Sequence, residues 1–517
     1  MSKARSWRGV VREVARAGAA VLVCAGPALG ATCESLAATA VPQGTVTGAQ
    51  VVPAGGFTLP AGRGGAAATS PYQGLPAFCR VQATLRPSAD SDIRIEVWMP
   101  AAGWNGRFQA VGNRGWGGAI MYPALAAAVS NGYAAASTDT GHVGGGASFA
   151  LGHPERVVDA GYRGVHEMTV QAKAMIAAFY GGGPKRSYFN GCSLGGRQGL
   201  SEAQRYPADF DGIVVGDAAH NLTDLYTARV AVAAAVHRSA ASNIPAAKYP
   251  AIHRAVLNAC DAQDGASDGV LENPAACGFD PKALACSGDD STSCLTADQI
   301  ETARRLYTDT IDPRSSRVVS RAYPRGSELG WAAVAGANPE NNSTDMFKFI
   351  VYQNPEWDWK TFDLRQALDA ASKPAFAVIN ANDPNLRRFV DRGGKLLMYH
   401  GWADPQTPAG NSIDYYTRAR AASGPRASES IRLFMVPGMG HCEGGTGTDT
   451  FDKVAPLVEW VENGRVPVRI PASRVADGKV VRTRPLCPFG EVARWNGSGS
   501  MDDAANFACV QATTPRQ

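Results

Sequence analysis

From Asp92 to Met99 the chain alternates polar and apolar side chains through Ile93, Ile95, Val97 and Trp98, the period-two signature of a half-buried β-strand. Arg107 to Gly112 and Tyr133 to Thr138 read as further strands, and Gly164 to Tyr180 reads as a helix. Next come a short apolar run, Ser187-Tyr188-Phe189, a helical stretch from Gly195 to Tyr206, and the strand Gly212-Ile213-Val214-Val215-Gly216, apolar enough to be buried on both faces. Strands alternating with helices predict an α/β fold with a mainly parallel sheet covered on both sides. The segment from 31 to about 85 is less regular, rich in Gly, Ala, Thr and Pro, with strand-like pieces such as Thr45-Val46-Thr47.

The alternation breaks after about Asp217. From roughly 220 to 389 come helical stretches, four cysteines within 35 residues, an acidic loop, and an aromatic-rich region containing Trp331, Phe347, Phe349, Tyr352, Trp357 and Trp359. The rhythm resumes at Lys395 to Gly401 and again at Ile431 to Gly438. The expectation is one sheet, built from residues 31–219 and 390–517, interrupted by an inserted lid at 220–389.

Asn190-Gly191-Cys192-Ser193-Leu194-Gly195-Gly196-Arg197 sits between a strand and a helix. In that setting Gly191-x-Ser193-x-Gly195 reads as a nucleophile elbow, whose small residues let the backbone turn sharply and expose the Ser193 hydroxyl. A serine nucleophile needs a base, and the base needs an acid to orient it, in the chain order Ser, Asp or Glu, His. Asp404 follows the first late strand in Gly401-Trp402-Ala403-Asp404-Pro405, and His441 follows the second in Gly438-Met439-Gly440-His441-Cys442. Of eight histidines only His441 lies beyond Asp404. His400 reads as a structural histidine at a strand end.

Cys192 precedes the candidate nucleophile and Cys442 follows the candidate base. If Ser193 and His441 meet at hydrogen-bonding distance, their neighbours come within the roughly 4.4–6.8 Å Cα separation of a disulfide. A Cys192–Cys442 bridge is therefore expected.

Composition narrows the class. The 517 residues are 45% apolar and 19% charged, enough to bury a sizeable core, and a net charge of +4 gives no support to nucleic-acid binding. Lys3, Arg5, Arg8, Arg12 and Arg16 precede an apolar stretch from Ala17 to Leu29, with small residues after it, which predicts a secretory signal peptide over 1–30. That stretch is short of the about 20 residues a membrane span requires. Of 11 cysteines, Cys24 lies in the expected signal, leaving an even ten, as suits disulfides in a secreted or periplasmic protein.

Gly-Cys-Ser-x-Gly-Gly at the elbow, His400-Gly401-Trp402-Ala403-Asp404, and Gly438-Met439-Gly440-His441-Cys442 together resemble the tannase and feruloyl esterase family, which includes the bacterial mono(2-hydroxyethyl) terephthalate hydrolase. The resemblance covers nearly all of the mature chain. It implies an α/β-hydrolase fold with a large lid inserted after a central strand. It also implies a serine carboxylesterase acting on small-molecule esters of hydroxycinnamic or hydroxybenzoic acids, and the aromatic lid suits such a substrate. The motifs do not separate feruloyl from galloyl esters or from mono(2-hydroxyethyl) terephthalate. The last needs a cation for its free carboxylate, for which Arg365, Arg387 and Arg388 are available. A non-catalytic exported binding protein and a peptidase on the same fold are the competing classes.

The oxyanion hole takes one N–H from Leu194, after the nucleophile, and one from an early loop. Gly112-Asn113-Arg114-Gly115-Trp116-Gly117-Gly118 is similar to the family's glycine-rich loop, with Gly115 the expected donor, although Arg114 stands where relatives often carry glycine. In the insertion, Asp261-Ala262-Gln263-Asp264-Gly265-Ala266-Ser267-Asp268-Gly269-Val270 offers three carboxylates to a hard cation. It resembles the family's lid calcium site, which implies the side chains of Asp261, Asp264 and Asp268 and the carbonyls of Ala266 and Val270 as ligands of a structural Ca2+. Cys260 and Cys277 flank this loop and can staple it. The resemblance implies the remaining pairs: Cys33 with Cys79, Cys286 with Cys294, and Cys487 with Cys509.

Overall fold

The computed structural model describes residues 30–60 and 72–512. Nearly all of the expected signal peptide, Cys24 included, lies outside them. Fifteen strands are described: β1 (Gly44–Val52), β2 (Phe78–Leu85), β3 (Ile93–Pro100), β4 (Arg107–Val111), β5 (Ala134–Thr138), β6 (Arg186–Cys192), β7 (Gly212–Gly216), β8 (Thr310–Ile311), β9 (Val318–Ser320), β10 (Lys395–Gly401), β11 (Ile431–Val436), β12 (Ile470–Ala476), β13 (Lys479–Leu486), β14 (Glu491–Trp495) and β15 (Phe507–Gln511).

Nine of them form one sheet in the order β1-β2-β3-β5-β4-β6-β7-β10-β11. The pairs β1–β2, β2–β3 and β3–β5 are antiparallel, and the pairs from β5 through β11 are parallel. The antiparallel flank corrects the reading of residues 31–85 as largely irregular. β1 carries almost no buried positions and its register shifts between Val46 and Gly48, so hydrophobic periodicity is a weak guide there.

Successive residues of the central strands point to opposite sides, as pleating requires. Phe189, Ile213, Val215, Leu396 and Met398 pack against helices Gly164–Tyr180, Leu194–Arg205 and Ala409–Ala422. Tyr188, Val214, Leu397, Tyr399 and Phe434 pack against helices Tyr122–Ser130 and Ala455–Asn463 on the other face. A sheet apolar on both faces stays buried only with both layers in place, and burying a single Leu or Phe side chain contributes about 1.5–3 kcal/mol.

Between β7 and β10 the chain leaves the sheet for a run of helices and the short hairpin β8–β9. This segment has its own core, with Tyr249, Ile252, Val256 and Trp331 at its centre. Phe347 and Trp331, both 0% exposed, belong to such cores, so much of the aromatic content noted in the sequence is packing. Two hairpins beyond β11, β12–β13 and β14–β15, follow no clear hydrophobic alternation; β13 begins with three exposed residues in succession. All ten cysteines among the described residues pair as expected, with Cα separations between 4.9 and 6.0 Å.

Candidate active site

Ser193 stands between β6 and helix Leu194–Arg205 with φ +62°, a conformation that L-residues rarely adopt. Glycine makes the turn possible. A Cβ at Gly191 would come within 2.5 Å of the Gly195 backbone, and one at Gly195 within 3.0 Å of the Asn113 carbonyl oxygen.

The loops after the two late strands converge on this turn. A Cβ at Gly401 would sit 2.3 Å from the Gly440 carbonyl oxygen, so the loop after β10 packs directly on the loop after β11. His441 Nε2 lies 2.8 Å from Ser193 Oγ, and His441 Nδ1 lies 2.7 Å from Asp404 Oδ2. Asp404 is fully buried, and its Oδ1 accepts bonds from the backbone N–H groups of Gln406, at 2.7 Å, and Thr407, at 2.9 Å. Burial pushes the Asp404 carboxyl up, but the charge of His441 and the bonds from both neighbouring imidazoles outweigh it and hold the group ionised. Burial lowers the His441 imidazole, the Asp404 charge and hydrogen bond raise it, and the net direction is upward.

His400 does end β10, fully buried, with Nδ1 2.8 Å from Ser412 Oγ and Nε2 2.8 Å from the Thr407 carbonyl oxygen. Its Nε2 also faces Asp404 Oδ2 at 3.2 Å and Asp217 Oδ1 at 3.6 Å. Sequence reasoning missed Asp217, whose Oδ1 accepts the Gly401 N–H at 2.9 Å and whose pKa burial raises to about 6. Its place just past the carboxyl end of parallel strand β7 was the available signal, since sites collect at those ends.

Leu194 and Gly115 both border a cavity of about 200 Å³, with Ser193, His441, Tyr226 and Gln406. Leu194 begins a helix, whose first N–H groups have no intrahelical partner and carry the positive end of the dipole. Gly115 has φ +61° in the glycine-rich loop. Asn113 fastens that loop to the elbow: its carbonyl accepts the Gly195 N–H at 2.8 Å, and its side chain and backbone N–H each bond Gln198 at 2.9 Å. Arg365, Arg387 and Arg388 are absent from the cavity wall, whereas Arg114 and Arg229 form part of it.

In the acidic loop, one oxygen each of Asp261, Asp264 and Asp268 accepts a backbone N–H, from Gly269, Ala266 and Val270 respectively. Asp261 Oδ1 is buried and accepts no hydrogen bond. Burial, then repulsion from Asp268 and Asp261, raises the Asp264 carboxyl to about 6. Arg484, from β13, takes the second oxygen of Asp268, a partner the sequence did not reveal. The three carboxylates do not gather to within 4.8 Å of one another, unlike Asp217, Asp404 and His441. Oxygen donors of this kind, one of them orphaned, fit a hard divalent cation.

Comparison with known proteins agrees with this geometry. The family described as tannase and feruloyl esterase matches residues 79–510. Feruloyl esterase B of Aspergillus niger is 33% identical over 84% of this chain and 87% of its own. Mono(2-hydroxyethyl) terephthalate hydrolase of Piscinibacter sakaiensis is 32% identical over 87% of each. The crystal structure of feruloyl esterase B from Aspergillus oryzae superposes with a TM-score of 0.86 at 29% identity, covering 92% of this chain and 99% of that one. The chain belongs to the tannase and feruloyl esterase family of carboxylic ester hydrolases, with the α/β-hydrolase fold.

Proposed function

We propose that the protein hydrolyses esters of hydroxylated aromatic acids through an acyl-enzyme on Ser193. The observation that carries this reading is the unbroken hydrogen-bonded chain from Ser193 Oγ through His441 to Asp404. His441 Nε2 takes the Ser193 proton as Oγ attacks the ester carbonyl, and the N–H groups of Leu194 and Gly115 receive the developing oxyanion. The imidazolium then protonates the leaving alcohol. Water, deprotonated by the same imidazole, releases the acid and restores the serine. Asp404 keeps Nδ1 protonated and stabilises the imidazolium; its two backbone N–H bonds fix the carboxylate so that it need not reorganise.

The substrate class rests on the relatives, whose names point to feruloyl and terephthaloyl esters. Turnover of methyl ferulate, methyl gallate and mono(2-hydroxyethyl) terephthalate, with a matched ferulic amide, tests it: esterolysis well above amidolysis is expected. Dominant amidolysis would favour a peptidase, and no fluorophosphonate label on Ser193 would favour a non-catalytic binding protein.

Residues 220–389 act as the lid over this site, since Tyr226, Arg229 and Asn342 come from that segment and line the cavity. A structural Ca2+ would be held by Asp261, Asp264, Asp268 and the carbonyls of Ala266 and Val270, neutralising three carboxylates and cross-linking the loop. The protein is read as secreted or periplasmic. Five disulfides support export, and no helix among the described residues is long and apolar enough to cross a membrane.

A further inference from the structure

We propose that Arg114 forms an anion-binding subsite at the rim of the catalytic cavity and selects esters whose alcohol half carries a carboxylate. This rests on the esterase reading above and narrows its substrate class.

The catalytic cavity is lined by two guanidinium groups, Arg114 and Arg229, and by no Asp or Glu. The two arginines differ in what they have left to offer. Arg229 is committed: Nε and Nη2 donate to the Gln406 carbonyl at 2.9 and 2.6 Å, and Nη1 donates to Glu340 at 2.8 Å. Its side chain is 6% exposed. Arg114 is 56% exposed, and its bond is to Glu443 Oε1, at 3.0 Å from Nη1; Glu443 is itself 66% exposed. An ion pair this open to solvent contributes little stability and is readily exchanged. It uses one of the five N–H donors a guanidinium carries in a planar fork that matches a carboxylate.

The geometry also chooses the half of the substrate. When His441 protonates the leaving oxygen, the alcohol must lie against the imidazole. On that side a second cavity, of about 350 Å³, shares His441 and Gln406 with the first and includes Glu443 in its wall. The Arg114–Glu443 pair therefore spans the rims of the two cavities, beside the leaving group rather than deep in the acyl side. Its position is fixed relative to the nucleophile, because Arg114 adjoins Gly115 in the oxyanion loop and Glu443 follows Cys442, which is bonded to Cys192. In the absence of substrate Glu443 holds Arg114 in place, and a substrate carboxylate takes up the remaining donors.

The test is a matched pair of substrates differing in one charge: carboxymethyl ferulate and carbamoylmethyl ferulate, scored by the ratio of their kcat/KM values. The wild-type ratio is expected to favour the acid by about tenfold, carried by KM, from one charge-assisted contact. In Arg114→Gln that ratio should collapse towards one or below, Arg114→Lys should restore part of it, and 0.5 M salt (roughly 4 Å screening length) should compress it in the wild type. Glu443→Gln should raise it. A wild-type ratio of one or less overturns the proposal without recourse to any variant, as does an unchanged ratio in an active Arg114→Gln enzyme. A second pair, mono(2-hydroxyethyl) terephthalate and 2-hydroxyethyl 4-carbamoylbenzoate, places the charge on the acyl half. If Arg114→Gln alters only this pair, the alcohol-side assignment is wrong. Failure of the esterase reading would look different, with neither member of either pair hydrolysed.

Discussion

At the scale of single residues, Ser193, His441 and Asp404 form a hydrogen-bonded chain whose members are held by different forces. His441 must be neutral to accept the Ser193 proton, and its pKa is raised above the ordinary 6.5. The acid limb of kcat/KM should therefore have its midpoint above 6.5, with activity rising as pH rises through it. A midpoint below that value would contradict the assigned role of Asp404. Asp404→Asn removes the charge that raises His441 and should lower kcat by about a thousandfold or more, since the imidazole loses the acceptor that keeps Nδ1 protonated. Backbone space is equally decisive: Gly191→Ala puts a Cβ 2.5 Å from the Gly195 backbone, and the enzyme should lose activity together with melting temperature, measured by calorimetry. Ser193 and Asp404 were legible in the sequence because each follows a strand and carries its own motif. Asp217 also follows a strand but carries no motif of its own, and its approach to His400, at 3.6 Å, depends on β10 pairing with β7. Arg114 was noticed only as a departure from glycine; its use depends on Glu443, which is 329 residues away in the chain.

At the scale of elements, the active site is a set of loops stitched together where strands end. Asn113 ties the glycine-rich loop to the elbow helix through Gln198 and Gly195. Asn113→Ala removes the acceptor of Gln198 Nε2 and the donor to the Ala119 and Thr138 carbonyls while keeping the backbone bond to Gln198, costing about 1–3 kcal/mol of stability. It should lower kcat more than it raises KM, since the second oxyanion donor shifts; an unchanged kcat would place the donor elsewhere. The Cys192–Cys442 bond closes a separation of 250 residues and joins the neighbours of nucleophile and base. Replacing both cysteines by serine is expected to cost about 2–5 kcal/mol and most of the activity, read from urea unfolding and steady-state rates. Full activity in the double variant would show that the strands alone align the site. The parallel strands were readable because they are uniformly apolar or cleanly alternating. The β12–β13 and β14–β15 hairpins were not: most of their positions are half-buried or exposed without a regular alternation, and they owe their form to pairing and to the Cys487–Cys509 bond.

At the scale of the whole molecule, a nine-stranded sheet supplies the rigid frame and the segment between β7 and β10 supplies a wall of the cavity. Arg229 joins the two, reaching from that segment to the loop that holds Asp404. The acidic loop lies under the C-terminal hairpins, where Ala266 packs with Ala493 and Phe507 and Arg484 meets Asp268. Calcium there would stabilise the fold without entering the chemistry. Elemental analysis should find about one calcium per chain, and chelation should lower the melting temperature while leaving the rate of the folded enzyme nearly unchanged; a dialysed, fully stable, metal-free protein would refute the site. Ester cleavage through an acyl-serine at the elbow is tested by acid-quenching the enzyme during turnover of methyl ferulate and measuring its intact mass. A feruloyl adduct is expected that maps to the peptide bearing Ser193 and is lost in Ser193→Ala. Turnover without any adduct, at a rate undiminished in Ser193→Ala, would contradict it.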